Sequence, residues 1–157
     1  MSTPGDGNKK LSKDQCILVD PGKPTTFPLA SAVGALLYLA RQTRPDISYA
    51  VAVGSRYMKA PGKEHWEAAM RVFCYVTKTT HYKIQLGGLC AILYAYGDAN
   101  LAGDSGGKID THRSMSGSVY FLGDSPIKWG ASIQKHVALS TLAAEAMAMY
   151  YTAVSQA

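Results

Sequence analysis

The sequence has few cysteines and no long apolar run, and each scarcity excludes a class of protein. The three cysteines, Cys16, Cys74 and Cys90, lie far apart and match no zinc-ligand spacing, so neither a disulfide framework nor a zinc site is indicated. The longest apolar run, near Ala35–Ala40, is much shorter than the roughly 20 residues that a membrane span needs. No charged and then apolar N-terminus resembles a signal peptide. These features predict an intracellular protein, in the cytoplasm or the nucleus, with no membrane partner.

The net charge is modest and its carriers are scattered along the chain. The 157 residues include 16 lysines and arginines and 11 aspartates and glutamates, which gives a formal charge of +5. This balance permits an anionic partner such as nucleic acid without requiring one. The chain is long enough for one domain with a sizeable core and a small appended part.

Proline, glycine and hydrophobic periodicity divide the chain into three predicted segments. Residues 1–26 are rich in Pro, Gly, Lys and Asp and are expected to form a flexible leader. Residues 27–80 carry apolar residues at helical spacing, interrupted by Pro45 and Pro61, and predict a helical connection region. Its three helices are expected at about 28–42, 45–57 and 64–77. Residues 81–157 then predict a separate domain.

The periodicity changes from helical to alternating after Thr80. Tyr82, Ile84 and Leu86 alternate with polar residues before Gly87-Gly88, a pattern typical of a strand and a hairpin turn. Further strands are expected at about 90–97, 117–122 and 126–131, and a final helix at about 141–155. A helical segment followed by antiparallel strands and then a helix predicts an α+β fold.

Two carboxylates stand where regular structure is predicted. Asp98 falls near the end of an expected strand and is either a turn residue or a metal ligand at the edge of the sheet. Glu145 is the one charged residue after His136, and a buried carboxylate without a partner would cost free energy. Helical periodicity instead favours a polar stripe that faces solvent. The members of that stripe are Thr141, Glu145, Ala148, Thr152 and Ser155.

Basic residues surround the predicted strand of Asp98 in the sequence. They are Lys108, Arg113, Lys128, Lys135 and His136. They would form either a basic rim beside Asp98 that binds nucleic acid or an ordinary solvated surface.

Five stretches follow one another in a specific order. They are TRPDISYAVAVGSRYMKAPGKEHWEAAMRVFCYV (43–76), YGDANLAGD (96–104), SMSGSVYFLG (114–123), IKWGASIQKHVALST (127–141) and AAEAMAM (143–149). Their order and spacing closely resemble the C-terminal part of Ty1/copia-type retrotransposon polyproteins, where the reverse transcriptase ends and the ribonuclease H domain begins. The resemblance runs from Leu11 to the last residue.

This resemblance implies a ribonuclease H-like fold, with a catalytic aspartate on the first strand and a catalytic glutamate on the first long helix. By motif position these are Asp98 in YGDAN and Glu145 in AAEAMAM. The implied reaction is hydrolysis of the RNA strand of an RNA–DNA hybrid with two Mg²⁺ ions. The charge of these ions calls for several carboxylates.

The sequence also departs from the family pattern. The family uses four acidic residues, of which the last two would follow Ala157, so two of the four are present. Asn100 and Leu101 stand where the family has aspartate and tryptophan, and Ala143 stands where it has glutamate. We therefore expect an incomplete magnesium site. We also expect self-association, or a protein partner, to cover the missing half and an apolar face of the final helix that includes Met147, Tyr150, Tyr151 and Val154.

The sequence leaves three functions open. The first is a ribonuclease H-like fragment that is ancestrally an endonuclease and is expected to be inactive alone. The second is a domesticated interaction protein that acts through an exposed sheet edge or the final helix. The third is a nucleic-acid-binding module that does not cleave.

Overall fold

A computed structural model describes residues 3–5, 11–16, 27–88, 92–101 and 112–154. These residues form two compact units, one up to Tyr82 and the other from Lys83 onward. Four α-helices and a three-stranded antiparallel sheet make up the fold, which confirms the predicted α+β class. None of the helices in the described ranges is long and apolar enough to cross a membrane.

The first unit is a cluster of three helices. Helices α1 (Leu29–Gln42), α2 (Ser48–Ser55) and α3 (Lys63–Lys78) are joined by a short 3-10 turn at Pro45–Ile47 and by a loop that ends at Gly62. The predicted helices lie within two residues of these bounds at most ends, because proline sets the break after α1. The buried residues at helical spacing form one apolar core, which includes Leu29, Val33, Leu36, Ile47, Val51, Val72 and Tyr75.

A buried arginine ties the turn after α1 to the end of α3. The guanidinium of Arg44 donates to both carboxylate oxygens of Asp46, at 2.9 and 2.8 Å. It also donates to the carbonyl oxygen of Thr79 at 3.2 Å and to the Thr79 hydroxyl. The rings of Tyr75 and Tyr82 lie 5.5 and 5.6 Å from the guanidinium carbon. The guanidinium therefore donates four hydrogen bonds to oxygens and also lies close to two aromatic rings.

The same contacts shift ionisation in this cluster. The hydrogen bonds that Arg44 donates to the Asp46 carboxylate are the main cause that raises the pKa of Arg44. Burial by itself would raise the pKa of Asp46, but the hydrogen bonds from Arg44 and Tyr75 and the arginine charge together hold that pKa below its usual value. Burial raises the pKa of Tyr75. The pair is therefore ionised at neutral pH.

Part of the predicted leader contacts the helices. The hydroxyl of Tyr57 donates to the carbonyl oxygen of Leu11 at 2.9 Å, and Nε2 of the buried His65 lies 3.1 Å from the carbonyl oxygen of Ser12. The amide N–H of Gly62 donates to Nδ1 of His65 at 2.9 Å. A Cβ at Gly62 would overlap the backbone of the leader, so the close approach requires glycine there.

The second unit contains the sheet. Strands β1 (Leu93–Asn100), β2 (Met115–Leu122) and β3 (Ser125–Ile133) pair antiparallel in the order β1-β2-β3. β1 therefore lies at one edge of this sheet and pairs with β2 along its whole length. It begins and ends three residues later than predicted, so Asp98 lies inside the strand and pairs with Gly117.

The strand predicted at Tyr82–Leu86 is wrong. Residues 82–88 are irregular, and the backbone of Gly87 bonds to a side chain instead of a neighbouring strand. The hydroxyl of Ser125 accepts from the Gly87 N–H at 2.7 Å and donates to the Gly87 carbonyl oxygen at 2.9 Å. Alternation of apolar and polar residues is not enough to form a strand when no ladder of backbone partners is available.

Helix α4 (Thr141–Val154) packs on one face of the sheet through small residues. Its buried positions are Ala144, Ala148 and Thr152. The Tyr120 hydroxyl donates to the carbonyl oxygen of Thr152 at 3.0 Å. A Cβ at Gly97 would lie 3.2 Å from Thr152 Cβ and 3.3 Å from the Ala148 carbonyl oxygen. The backbones of α4 and β1 approach closely because Gly97 has no side chain.

The prediction of a solvent-facing polar stripe on the final helix is therefore wrong for Ala148 and Thr152. The helix buries its small side chains because the sheet face below it also carries small residues. Large apolar residues point outward instead: Leu142 is 78% exposed, and Met149 and Tyr150 are each 63% exposed. Ser155, the last member of the predicted stripe, lies outside the described residues.

Candidate metal and nucleic-acid site

Asp98 is exposed on the face of β1 that points away from α4. Neighbouring side chains of a strand point to opposite faces, and Gly97 faces α4. One carboxylate oxygen of Asp98 accepts from the backbone N–H of Ala99 at 2.9 Å. Asp98 is thus a strand residue rather than a turn residue, and it is exposed to solvent.

Aromatic side chains precede Asp98 on the same face. Tyr94 stacks on Phe121 of β2 with ring centroids 5.3 Å apart, and Tyr96 meets both rings edge to face. These ring contacts hold the aromatic side chains in place on the face of β1 that carries the Asp98 carboxylate.

Glu145 lies near the start of α4 and is half-buried. The helix begins after Ser140, whose hydroxyl accepts from the Ala143 N–H at 3.1 Å and caps the first turn. This cap forms although alanine stands at the position where a capping box would carry a glutamate. Glu145 follows Ala144, which is fully buried, so its side chain leaves the helix beside the sheet-facing side.

One glutamine locates the start of α4 relative to β1. Nε2 of Gln134 donates to the Ser116 hydroxyl at 2.8 Å and to the carbonyl oxygen of Ala144 at 2.9 Å. Ser116 pairs with Ala99, the neighbour of Asp98. The structure therefore brings Asp98 and Glu145 to the same end of the edge strand, with Asp98 on the far face from α4.

The two carboxylates at this end do not fit a magnesium ion that they share, because Asp98 points away from α4 and Glu145 extends from α4 on the other face of the sheet. Mg²⁺ in proteins is commonly held by one or two carboxylates and keeps several waters. Within the described ranges, no group of three or more histidine, cysteine, aspartate or glutamate side chains could hold a metal. The two carboxylates are hard oxygen donors, but they are too few for a pair of magnesium ions. Asp104 and Asp110 lie outside the described residues.

Three of the five predicted basic residues lie at the same end of the sheet. The backbone N–H of Gln134 donates to the carbonyl oxygen of Ser114 at 2.9 Å. This hydrogen bond joins the chain neighbours of Arg113 and Lys135. Arg113, Lys135 and His136 are exposed. Lys128 lies further along β3, with Nζ 5.0 Å from the ring centre of Tyr120. Lys108 is outside the described residues.

Gln134 was not predicted from the sequence. It is 2% exposed, yet it reads as an ordinary polar residue in the loop between β3 and α4. The available signal was its position within IKWGASIQKHVALST, one of the stretches that carry the family resemblance. Its role depends on partners 18 and 10 residues away, which no local pattern specifies.

Several curated proteins are similar to the chain. It is 43% identical over 150 residues to the retrovirus-related Pol polyprotein from transposon TNT 1-94 of Nicotiana tabacum, a match that covers 94% of the chain and 11% of that protein. It is 44% identical over 114 residues to the Pol polyprotein from transposon RE2 of Arabidopsis thaliana, covering 72% of the chain and 8% of that protein. The chain thus spans about a tenth of the length of these polyproteins.

A shorter relative matches over most of its own length. The secreted RxLR effector protein 161 of Plasmopara viticola is 38% identical over 123 residues, which cover 78% of the chain and 84% of that protein. No family model and no solved structure matches the chain.

Proposed function

The chain belongs to the Ty1/copia-type retrotransposon Pol polyproteins and corresponds to a part of them, and we propose that its second unit is part of a ribonuclease H-like domain that binds RNA–DNA hybrids. The observation that carries this proposal is the exposure of Asp98, Arg113, Lys135 and His136 at one end of the sheet. An exposed carboxylate is suited to help hold a hydrated Mg²⁺ ion, which binds one or two carboxylates and keeps several waters. A bound Mg²⁺ ion would supply an activated water and charge stabilisation for phosphodiester hydrolysis.

The protein residues have separate roles in this proposal. Asp98 binds the metal, and Arg113, Lys135 and His136 contact the phosphates of the hybrid. Glu145 is left out of the metal contact because it extends from α4, on the other face of the sheet, and Lys128 is left out of the phosphate contact because its ammonium group lies over the Tyr120 ring. Since one carboxylate supplies too few ligands for two metals, we expect the chain alone to bind a hybrid without measurable cleavage.

Manganese binding tests the assignment of Asp98. Mn²⁺ can replace Mg²⁺ at oxygen sites and is detected by electron paramagnetic resonance. Asp98→Asn should weaken Mn²⁺ binding by about tenfold or more, which corresponds to about 1.4 kcal/mol. Asp124→Asn removes an exposed carboxylate in the turn between β2 and β3 and is the matched control. Its affinity should equal that of the wild type.

Two results would contradict the assignment. One is Mn²⁺ affinity that stays unchanged in Asp98→Asn. The other is cleavage of a labelled RNA–DNA hybrid that persists in the Asp98→Asn variant, because the proposed metal ligand would then be dispensable. Hybrid binding should weaken steeply as salt is raised, as expected for phosphate contacts.

A second candidate function is self-association through the outer face of α4. The observation that favours it is the exposure of Leu142, Met149 and Tyr150 on a helix whose single charged residue, Glu145, lies to one side. Exposed apolar patches of this kind mark contact surfaces. A second copy of the chain could bury this face against its own α4 by pairing the two helices.

Sedimentation equilibrium tests this second candidate. We expect the wild type to form dimers at micromolar concentration and the double variant Leu142→Lys, Met149→Lys to be monomeric, because two charges would be buried in the interface. Tyr38→Lys is the control, since Tyr38 is 69% exposed on α1; it should remain dimeric. A wild type that stays monomeric would remove the candidate.

A further inference from the structure

His65 is a buried histidine that joins the start of α3 to the leader. It is 1% exposed and is the third residue of the helix, which begins after the N-cap residue Gly62. Its Nδ1 lies 2.9 Å from the backbone nitrogen of Gly62, and its Nε2 lies 3.1 Å from the carbonyl oxygen of Ser12. One ring nitrogen therefore contacts the helix end and the other contacts the leader.

The partners of the two ring nitrogens determine the protonation state of the ring. The Gly62 N–H is a donor only, so the Nδ1 that it meets must be a bare acceptor. The Ser12 carbonyl oxygen is an acceptor only, so Nε2 must carry the hydrogen. Neutral imidazole has one nitrogen of each kind, whereas both nitrogens of imidazolium are donors. The contact with the leader therefore requires neutral His65.

Protonation of Nδ1 would place two buried donors against each other. The bond from the Gly62 N–H would be lost, and the cation would be buried. A charged Nε2–H would bind Ser12 more strongly, but one stronger hydrogen bond does not offset both costs. The ring has little space to turn, because Tyr57 stacks on it with ring centroids 4.2 Å apart. Leader backbone closes the other side, where a Cβ at Gly62 would overlap the Gln15 carbonyl oxygen.

The charged groups around the ring do not favour an imidazolium ion. The guanidinium carbon of Arg56 lies 5.6 Å from the centre of the Tyr57 ring, which itself stacks on His65, so a cation is already close. The positive end of the α3 dipole also opposes a second cation. The Tyr57 hydroxyl is neutral and donates to the Leu11 carbonyl oxygen. The other charged side chains on these elements are exposed to solvent: Lys13, Asp14, Lys59, Lys63, Glu64 and Glu67.

We propose that His65 is a pH-sensitive switch whose protonation releases leader residues 11–16 from the helices. Once the leader leaves, the ring is hydrated and takes up a proton as an ordinary histidine does, with a pKa of about 6.5. The released state then binds one more proton than the docked state. Docking is therefore at full strength above that pKa and weakens as the pH falls below it, by up to about tenfold per pH unit. The inference does not depend on the proposed function, since His65 lies in the first unit.

Hydrogen exchange of the Cys16 amide tests the switch. This N–H donates to the Lys13 carbonyl oxygen at 2.9 Å within the docked leader turn, and such a short turn gives little protection once released. The protection factor, corrected for the intrinsic exchange rate at each pH, should fall about tenfold between about pH 7.5 and about pH 5.5. Circular dichroism should show that α1, α2 and α3 remain folded over this range.

His65→Gln is the decisive variant. A glutamine at the third helical position accepts from the N-cap N–H, as in a capping box, and it does not titrate. The Cys16 protection factor of this variant should be the same at both pH values. His81→Gln removes an exposed histidine after α3 and is the matched control, which should keep the tenfold fall of the wild type.

Two results would overturn the inference: an equal fall in the wild type and in His65→Gln, or no fall in the wild type. If the leader does not dock in His65→Gln at either pH, the wild type decides through the ¹⁵N chemical shifts of the His65 ring. The inference stands if protonation of the ring and loss of Cys16 protection occur together, and fails if either occurs without the other.

Discussion

Replacing Gly97 with valine should destabilise the second unit by about 3 kcal/mol, at the upper end of the usual cost of overpacking. The added side chain would meet the side chain of Thr152 and the backbone carbonyl of Ala148. The backbone carbonyl cannot move without shifting α4, and Thr152 already donates to it at 2.8 Å. The helix must therefore move away from β1, and the burial of Ala148 and Thr152 is lost.

Urea unfolding followed by the fluorescence of Trp129 would measure this effect, in a Trp66→Phe background that silences the first unit. Gly117→Val is the matched control, because Gly117 lies in β2 and a Cβ there meets nothing within 4 Å. It should be neutral or slightly stabilising, since valine favours strands. Thr152→Ala should recover part of the loss in Gly97→Val. Equal stability of Gly97→Val and Gly117→Val would contradict the close packing of α4.

Replacing Arg44 with methionine should destabilise the first unit by about 2 kcal/mol, because two oxygens of the buried Thr79 lose their charged donor. Loss of the pair with Asp46 adds little, since the Asp46 side chain retains 28% exposure and can be solvated. The cation is also lost from beside the Tyr75 and Tyr82 rings.

Urea unfolding in a Trp129→Phe background, followed by Trp66, would report this loss. Lys63→Met breaks the exposed pair of Lys63 with Glu67, 3.8 Å apart on the surface of α3, and should change stability by less than about 0.5 kcal/mol. A loss in Arg44→Met as small as that of the control would show that the buried network is not important for stability.

The pH dependence of the free energy of unfolding is an independent test of the Arg44–Asp46 pair. Since the folded pKa of Asp46 is below its ordinary value, its contribution to stability is present above the unfolded carboxyl pKa of about 3.9 and disappears as the pH falls through the folded value. The difference in stability between the wild type and Arg44→Met should therefore shrink on acidification below that point.

The sequence predicted those parts of the fold that depend on local pattern. Periodicity and proline placed α1, the break at Pro45, and α3, because each helix buries a regular apolar stripe. The prediction failed where the structure depends on contacts between residues that are far apart in the sequence. Residues 82–86 alternate but pair with no strand in the part of the chain that the structure describes, and α4 buries alanines because the opposing strand offers glycine at 97.

The candidate site was predictable only through resemblance. Periodicity assigned Glu145 to solvent, and turn chemistry assigned Asp98 to a loop. Neither periodicity nor turn chemistry predicted Gln134. Its burial depends on how closely a helix packs against a sheet, and these elements are far apart in the sequence. A hydrogen-bond partner on another element leaves no local pattern.

The bonds between the leader and the helices have a consequence for the order of folding. The three helices of the first unit meet over short sequence separations, whereas the bonds to Leu11 and Ser12 close segments of 46 and 53 residues. Closing long segments costs chain entropy that is repaid only after the receiving surface exists. We therefore expect the helices to assemble first and Leu11 and Ser12 to dock last, against Tyr57 and His65. On unfolding, we expect these two contacts to be the first to break.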